Sequence, residues 1–129
     1  MGVKAGRTNQ ILDGSSGTAV TSAMFALGAG WAGGATIAVT AGSTQWRGSA
    51  VITAATTTPA QATATVIFTW PDPWGAAPGA ILTTTTNNNS LTAASAFANT
   101  TVTSTAVTWT HSILPVDTKL YTINWIIAV

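Results

Sequence analysis

VIFTWPDPWGAAPGAILTTTT, residues 66–86, is the stretch that decides how this chain is expected to fold. Its first residues alternate between two sides of a period-2 strand, with Phe68 and Trp70 on the same side. Three prolines and two glycines follow, and proline has no backbone donor for a β-ladder. The stretch therefore predicts a strand, a rigid corner that carries Trp74, and a second strand that begins near Ile81.

The composition favours β-structure and association. Charged residues make up 5% of the 129-residue chain, whereas an ordinary soluble domain has about 25%. There is no glutamate, and a formal net charge of +1 gives little repulsion between copies. Solubility must therefore come from the hydroxyls and amides of threonine, serine and asparagine. Abundant threonine and valine argue against long helices, since β-branched side chains lose freedom there.

Two stretches before the corner form a predicted strand pair. Residues 35–40 and 45–54 are rich in apolar and β-branched residues, and a loop at Gly42 joins them. Their candidate core side chains are Ile37, Val39, Val51 and Ile52. Residues 18–31 precede this pair and fit either an edge strand or a short helical turn, because periodicity does not separate the two.

Three stretches after the corner complete the predicted fold. Residues 91–99 fit a helical turn or a short strand with Phe97 inward, and residues 101–110 form a threonine-rich strand. The last strand, residues 120–129, has one strongly apolar face. That face consists of Tyr121, Ile123, Trp125, Ile127 and Val129. Six or more short strands predict an all-β, antiparallel β-sandwich or jelly-roll-like domain over residues 18–129.

Residues 1–17 are predicted to form an N-terminal arm. Residues 1–17 are polar and without period, so their composition alone predicts flexibility. We expect this arm to dock on another copy or on a partner, with Lys4 and Arg7 as its docking cations. The same cations precede the apolar residues 23–27, which leaves a cleaved signal peptide as an alternative. Residues 14–45 carry no charge but contain too many glycines for a good membrane-spanning helix.

Two groups of side chains are candidates for contact with partners. Arg47 can stack on Trp46, pair with a carboxylate across a subunit boundary, or point to water. Trp31, Trp46 and Trp74 lie at loop or strand ends. For these three, core burial, subunit contact and a platform for a sugar ring all remain open. The core interpretation is preferred for the strand tryptophans, which are Trp70, Trp109 and Trp125.

The ionisable residues offer little for catalysis. His111 is the only imidazole, so a hydrolytic triad must use it with Asp117, yet no G-x-S-x-G elbow follows a strand. A glycosidase needs two carboxylates, here chosen from Asp13, Asp72 and Asp117. One histidine and no cysteine make a poor zinc ligand set, and four scattered cations make no nucleic-acid stripe. We expect no enzyme, no metal and no cofactor.

Four segments occur in a recognisable order. They are ALGAGW at 26–31, ATIAVTAGSTQWRGSAVIT at 35–53, ATVIFTWPDPWGAAPGAILT at 64–83 and TKLYTINWIIA at 118–128. In this order they resemble the small β-sandwich domains of tailed-bacteriophage virion proteins, which include capsid decoration (cement) proteins and tail-fibre modules. The chain departs from the commonest version by its two prolines around Asp72 and by its number of tryptophans.

The resemblance implies a homotrimeric viral structural protein on the outer surface of the virion. Because the chain begins at Met1, we expect a capsid decoration protein that stabilises the phage head. Its partners would be its own copies and the major capsid protein or another virion protein, with no nucleic acid and no membrane. The alternative is a tail-fibre or head-fibre tip that binds a host receptor or glycan.

Overall fold

The computed structural model describes residues 17–31, 33–55, 64–87, 97–111 and 119–128. These residues form the strands β1 (Phe25–Leu27), β2 (Thr36–Val39), β3 (Arg47–Thr53), β4 (Ala64–Thr69), β5 (Ala80–Asn87), β6 (Phe97–Val102), β7 (Ala106–His111) and β8 (Leu120–Ala128). Two single 3-10 turns, Ser22–Met24 and Ala29–Trp31, flank β1. The strands form two four-stranded sheets, ordered β1-β4-β7-β6 and β2-β3-β8-β5, in which every pairing is antiparallel. The predicted all-β class is confirmed.

The core lies between the two sheets, in a β-sandwich-like arrangement. Strand β4 buries alternate residues, Val66 and Phe68 among them, and exposes Ile67. Strand β8 likewise buries its predicted apolar face, which consists of Tyr121, Ile123, Trp125 and Ile127. The ring of Phe68 lies 5.1 Å from that of Trp125, centroid to centroid, across the interface. Period-2 burial on facing strands therefore explains why the two sheets pack together.

The proline-rich corner carries the chain from one sheet to the other, because β4 and β5 belong to different sheets. The turn between β6 and β7 holds this corner in place. The backbone N–H of Trp70 donates to the carbonyl of Thr105 at 2.9 Å, and that of Trp74 donates to Ser104 at 2.8 Å. The indole of Trp70 donates to the carbonyl of Thr103 at 3.2 Å. The predicted order of strand, corner and strand is confirmed.

Residues 101–110 are not the single strand that the sequence predicted. Strand β6 ends at Val102 and β7 begins at Ala106, so a hairpin turn lies inside this stretch. The hydroxyl of Thr103 accepts hydrogen bonds from the backbone N–H groups of Thr105 and Ala106, at 3.2 and 3.0 Å. A threonine side chain thus satisfies the turn without the glycine or proline that usually marks one.

Val51 is a second correction. The sequence placed Val51 and Ile52 together in the core, but successive residues of a strand point to opposite faces. Ile52 is fully buried, whereas Val51 is only partly buried. Ile37 and Val39, also predicted for the core, pack against it from β2 while remaining partly exposed.

Residues 18–31 contain both of the elements between which periodicity could not decide. The 3-10 turn Ser22–Met24 leads directly into the edge strand β1, which pairs with β4. For residues 91–99 the sequence left a helical turn or a short strand open; β6 begins at Phe97, and residues 91–96 lie outside the described residues. The arm predicted for residues 1–17 and the end of the last strand at Val129 lie outside the described residues, apart from Gly17.

Candidate functional site: the Trp46–Trp74 cleft

A cleft of about 410 Å³ opens beside the corner, and we call it the Trp46–Trp74 cleft. Its walls are the two indoles and residues 75–79, which are glycine, alanine and proline. Ligand sites of proteins commonly measure about 300–1,000 Å³ and are mostly apolar. The cleft therefore has the size and character of a binding site for a small or extended apolar group.

Trp46 is fixed where the chain enters β3. Its carbonyl accepts a hydrogen bond of 2.8 Å from the backbone N–H of Ile127, which extends the ladder between β3 and β8 by one residue. Its indole is 8% exposed and packs against Gly17. Gly17 has a φ of +112°, and a Cβ there would stand 2.6 Å from Cδ1 of Trp46. A glycine is thus required both by the backbone and by the indole.

Trp74 meets Trp46 edge to face. Their ring centroids are 4.8 Å apart with an interplanar angle of 85°, and Trp74 makes a similar contact with Trp70 at 6.1 Å. The indole Nε1 of Trp74 is buried and has no hydrogen-bond partner among the described residues. A buried indole N–H usually has such a partner. The Nε1 of Trp74 is therefore an unsatisfied buried donor in the wall of the cleft.

Asp72 joins the corner to neighbouring segments rather than forming an acid pair. The hydroxyl of Thr18 donates to its carboxylate. Its backbone N–H donates to Oε1 of Gln45 at 3.0 Å, and Gln45 is a buried residue that the sequence did not single out. Asp72 is the only carboxylate side chain in the described ranges, because Asp13 and Asp117 fall outside them. Hence no carboxylate pair for glycoside hydrolysis is found in the described part of the chain.

Arg47 follows Trp46 directly in the chain but lines a separate shallow depression and not the cleft. Its backbone opens β3 in register with Ile126, and its side chain is exposed. The depression measures about 340 Å³ and is also lined by residues 40–43 and Asn124. Arg47 thus stands next to Ile126, whose side chain is 45% exposed.

The structure places Trp31 away from the other two loop tryptophans. Its side chain is 1% exposed, its indole donates to the carbonyl of Thr65 at 3.0 Å, and its ring meets Tyr121 edge to face. Trp31 is therefore part of the core. The burial predicted for the strand tryptophans is confirmed, since Trp70, Trp109 and Trp125 are all buried. Of the three loop tryptophans, Trp46 and Trp74 come together at the cleft, where Trp46 is buried and Trp74 is partly buried.

The remaining candidate residues contribute no described site. Lys4 and Arg7 lie outside the described residues, and His111 is described only as the backbone end of β7, paired with Ala64 and Phe97. Within the described residues no three metal-ligating side chains cluster, and no helix there is long and apolar enough to cross a membrane. Comparison with family models, with characterised proteins and with solved structures found no match.

Proposed function

We propose that this chain is a non-enzymatic structural protein of a virion, a capsid decoration or cement protein that works by packing against its own copies and against a shell protein. The observation that carries the proposal is the near absence of charge on both sheets. Arg47 is the only Asp, Glu, Lys or Arg in the eight described strands. The surface of a solitary soluble domain would be about 25–35% charged.

The outer face of the first sheet is typical of this surface. In one row across the sheet the register brings together Ala26, Ile67, Thr108 and Thr101, none of which is charged. Ile67 is 37% exposed, and on the second sheet Leu120 and Ile126 are exposed as well. The threonine hydroxyls keep this face hydrated. Its methyl and isoleucine carbons release water when another protein surface covers them.

Burial alone would supply the stabilisation. Apolar area contributes roughly 25 cal/mol per Å², and a standard protein interface buries about 1,600 Å² in total. Repeated over many copies, such contacts would reinforce a shell without any chemical step. We assign Lys4 and Arg7 to acidic groups on the shell, and a homotrimer to the assembly. We retain an antiparallel β-sandwich or jelly-roll-like domain as the subunit of this trimer, in keeping with the two antiparallel sheets of the described residues.

The assembly itself is the first test. At micromolar concentration, sedimentation velocity should give a trimer or a multiple of it. Lys4→Ala combined with Arg7→Ala should leave that assembly intact while lowering the amount of protein retained on purified capsid particles by about tenfold or more, if each cation pairs with an acidic group. Lys119→Ala, at an exposed position in the described structure, is the matched control and should bind as the wild type does. A chain that stays monomeric and binds particles regardless of these changes would refute the proposal.

A second candidate function, a fibre tip that binds a receptor glycan, is favoured by the Trp46–Trp74 cleft. Trp74→Ala should then lower glycan binding by at least about tenfold, since aromatic contacts in such sites commonly supply 1 kcal/mol or more. The fold should persist, because the Trp74 side chain is only partly buried. The control is Ile126→Ala, which alters an exposed side chain that does not line the cleft. Equal glycan binding by Trp74→Ala and the control on a glycan array would exclude this candidate.

A further inference from the structure

Gln45 is one of three buried polar side chains in the described ranges, beside Ser43 and Thr44, and of these it alone carries an amide. It is 5% exposed, and the burial of an amide is unfavourable unless hydrogen bonds satisfy it. Its oxygen Oε1 accepts a 3.0 Å hydrogen bond from the backbone N–H of Asp72. Neither the strand period nor the apolar core requires an amide at this position.

Thr18 stands directly opposite Gln45 in the fold. Ala19 forms an antiparallel bridge with Thr44. In antiparallel pairing a step back along one segment is a step forward along the other, so residue 18 lies opposite residue 45. The side chains of opposite residues leave the pair on the same face, with Cβ atoms about 4.5–5.5 Å apart. The Thr18 hydroxyl and the Gln45 amide are therefore neighbours.

Asp72 contacts both of these side chains from the proline-rich corner. Its carboxylate accepts a hydrogen bond from the Thr18 hydroxyl, and its backbone N–H donates to Oε1 of Gln45. The corner is held on both sides of Asp72, because the backbone N–H groups of Trp70 and Trp74 bond to the turn between β6 and β7. One anchored residue thus presents a basic oxygen to a hydroxyl and a hydrogen-bond donor to an amide oxygen.

These groups are what acyl transfer from an amide to a hydroxyl needs. A hydroxyl becomes a nucleophile when a base within hydrogen-bond reach takes its proton. A donor at the carbonyl oxygen stabilises the negative charge that develops there during the attack. Groups that a folded backbone holds side by side react as if they were at very high concentration. The arrangement of Thr18, Asp72 and Gln45 meets each of these requirements.

We propose that Thr18 and Gln45 form an intramolecular ester, with Asp72 as the catalytic residue. Oγ1 of Thr18 attacks Cδ of Gln45 while the Asp72 carboxylate takes the hydroxyl proton. The resulting oxyanion on Oε1 accepts the backbone N–H bond of Asp72. The Cδ–Nε2 bond then breaks, and Asp72 returns the proton to the departing nitrogen, which leaves as ammonia. One C–O bond replaces one C–N bond, and no oxidant, metal or cofactor is consumed.

The burial of the three residues suits this reaction. Gln45 is almost wholly buried, so bulk water has little access to its amide carbon and competes poorly with the Thr18 hydroxyl. Thr18 and Asp72 are exposed, which gives the ammonia a way out to solvent. Dilution of the ammonia there prevents the reverse attack on the ester.

The inference goes beyond the proposed function and does not depend on it. The chain contains no cysteine, so it has no disulfide with which to restrict its unfolded state. An ester between residues 18 and 45 would restrict that state as a disulfide does. It would also tie the base of the predicted arm covalently to the segment that leads into β3. The reaction occurs once per chain and makes the protein its own substrate rather than an enzyme.

Mass spectrometry of the purified full chain tests the proposal. The whole protein should weigh about 17 Da less than its sequence mass, because one ammonia has been lost. Chymotrypsin cuts after aromatic residues such as Phe25 and Trp31, which lie between the two linked positions. The digest should therefore contain one cross-linked pair of peptides that carry Thr18 and Gln45. Neutral hydroxylamine, which cleaves esters, should separate this pair.

Three variants assign the roles. Thr18→Val lacks the nucleophile and should keep its full sequence mass. Asp72→Asn keeps the backbone donor but loses the base, so after cell-free synthesis the link should form at least about a hundredfold more slowly. Thr21→Val is the matched control, since the exposed Thr21 makes no capping hydrogen bond through its side chain, and it should cross-link as the wild type does.

Two results would overturn the proposal. The first is a folded wild-type chain that keeps its full sequence mass after days in solution. The second is a loss of ammonia that the digest locates elsewhere or that persists in Thr18→Val. Equal rates for Asp72→Asn and the wild type would overturn the catalytic role of Asp72. Particle binding does not enter these measurements, so the proposed function stands or fails separately.

Discussion

Replacing Trp125 with alanine is expected to lower the free energy of unfolding by about 3–5 kcal/mol, as buried aromatic truncations do. The indole is 1% exposed and meets the rings of Phe25, Phe68 and Trp109 at centroid distances of 5.8, 5.1 and 6.5 Å. Its Nε1 donates to the carbonyl of Thr44 at 3.1 Å, and alanine cannot replace that bond. Alanine would thus leave both a cavity between the sheets and an unsatisfied carbonyl. Urea denaturation followed by far-ultraviolet circular dichroism measures the loss.

Ile126→Ala is the matched control, since Ile126 follows Trp125 on the same strand but faces outward and is 45% exposed. Its free energy of unfolding should fall by less than about 1 kcal/mol, because the substitution removes little buried area. Similar losses for the two variants would mean that Trp125 does not join the sheets as described. The comparison must be made at concentrations where both variants have the same assembly state, since association adds to apparent stability.

Gly30→Ala is expected to cost about 3 kcal/mol, at the upper end of the range for overpacked cores. A Cβ at this position would stand 2.5 Å from Cα and 2.7 Å from the backbone nitrogen of Ala64. Both atoms belong to the fully buried first residue of β4, so no flexible side chain can move aside. Either β4 or the 3-10 turn Ala29–Trp31 must shift. Thermal unfolding should show a clear drop in midpoint.

Gly33→Ala separates this close contact from the general effect of adding a methyl group. A Cβ at Gly33 meets nothing within 4 Å, and its φ lies outside the left-handed region that favours glycine. The variant should match the wild type or gain a few tenths of a kcal/mol from a less flexible unfolded chain. If Gly30→Ala and Gly33→Ala destabilise the protein equally, the close approach of Gly30 to Ala64 is not what excludes a larger residue at position 30.

The alternation of apolar and polar side chains along strands made parts of this fold predictable from the sequence. The apolar face of β8 and the strand before the corner follow a strict period of two, and each is buried as that period requires. The hairpin between β6 and β7 escaped prediction because its turn depends on the hydroxyl of Thr103 rather than on glycine or proline. Val51 was misplaced because an unbroken apolar run hides which residue faces inward.

The cleft was only half predictable. The sequence identified Trp46 and Trp74 as side chains near strand ends, but no local pattern shows that residues 28 positions apart will meet. Their contact depends on the corner crossing between sheets and on its anchorage to the turn at Ser104. Trp31 was indistinguishable from them in sequence, yet the approach of the neighbouring Gly30 to β4 carries it into the core. Such long-range packing lies beyond composition and periodicity.

The position of β8 determines when the sandwich can fold during synthesis. Although β8 is the last described strand in chain order, it lies between β3 and β5 in the middle of its sheet. Until β8 has emerged from the ribosome, β3 and β5 of the nascent chain therefore lack the strand that pairs with both of them. Because these non-local pairings need β8, residues 120–128 must have left the ribosome before the sandwich can close.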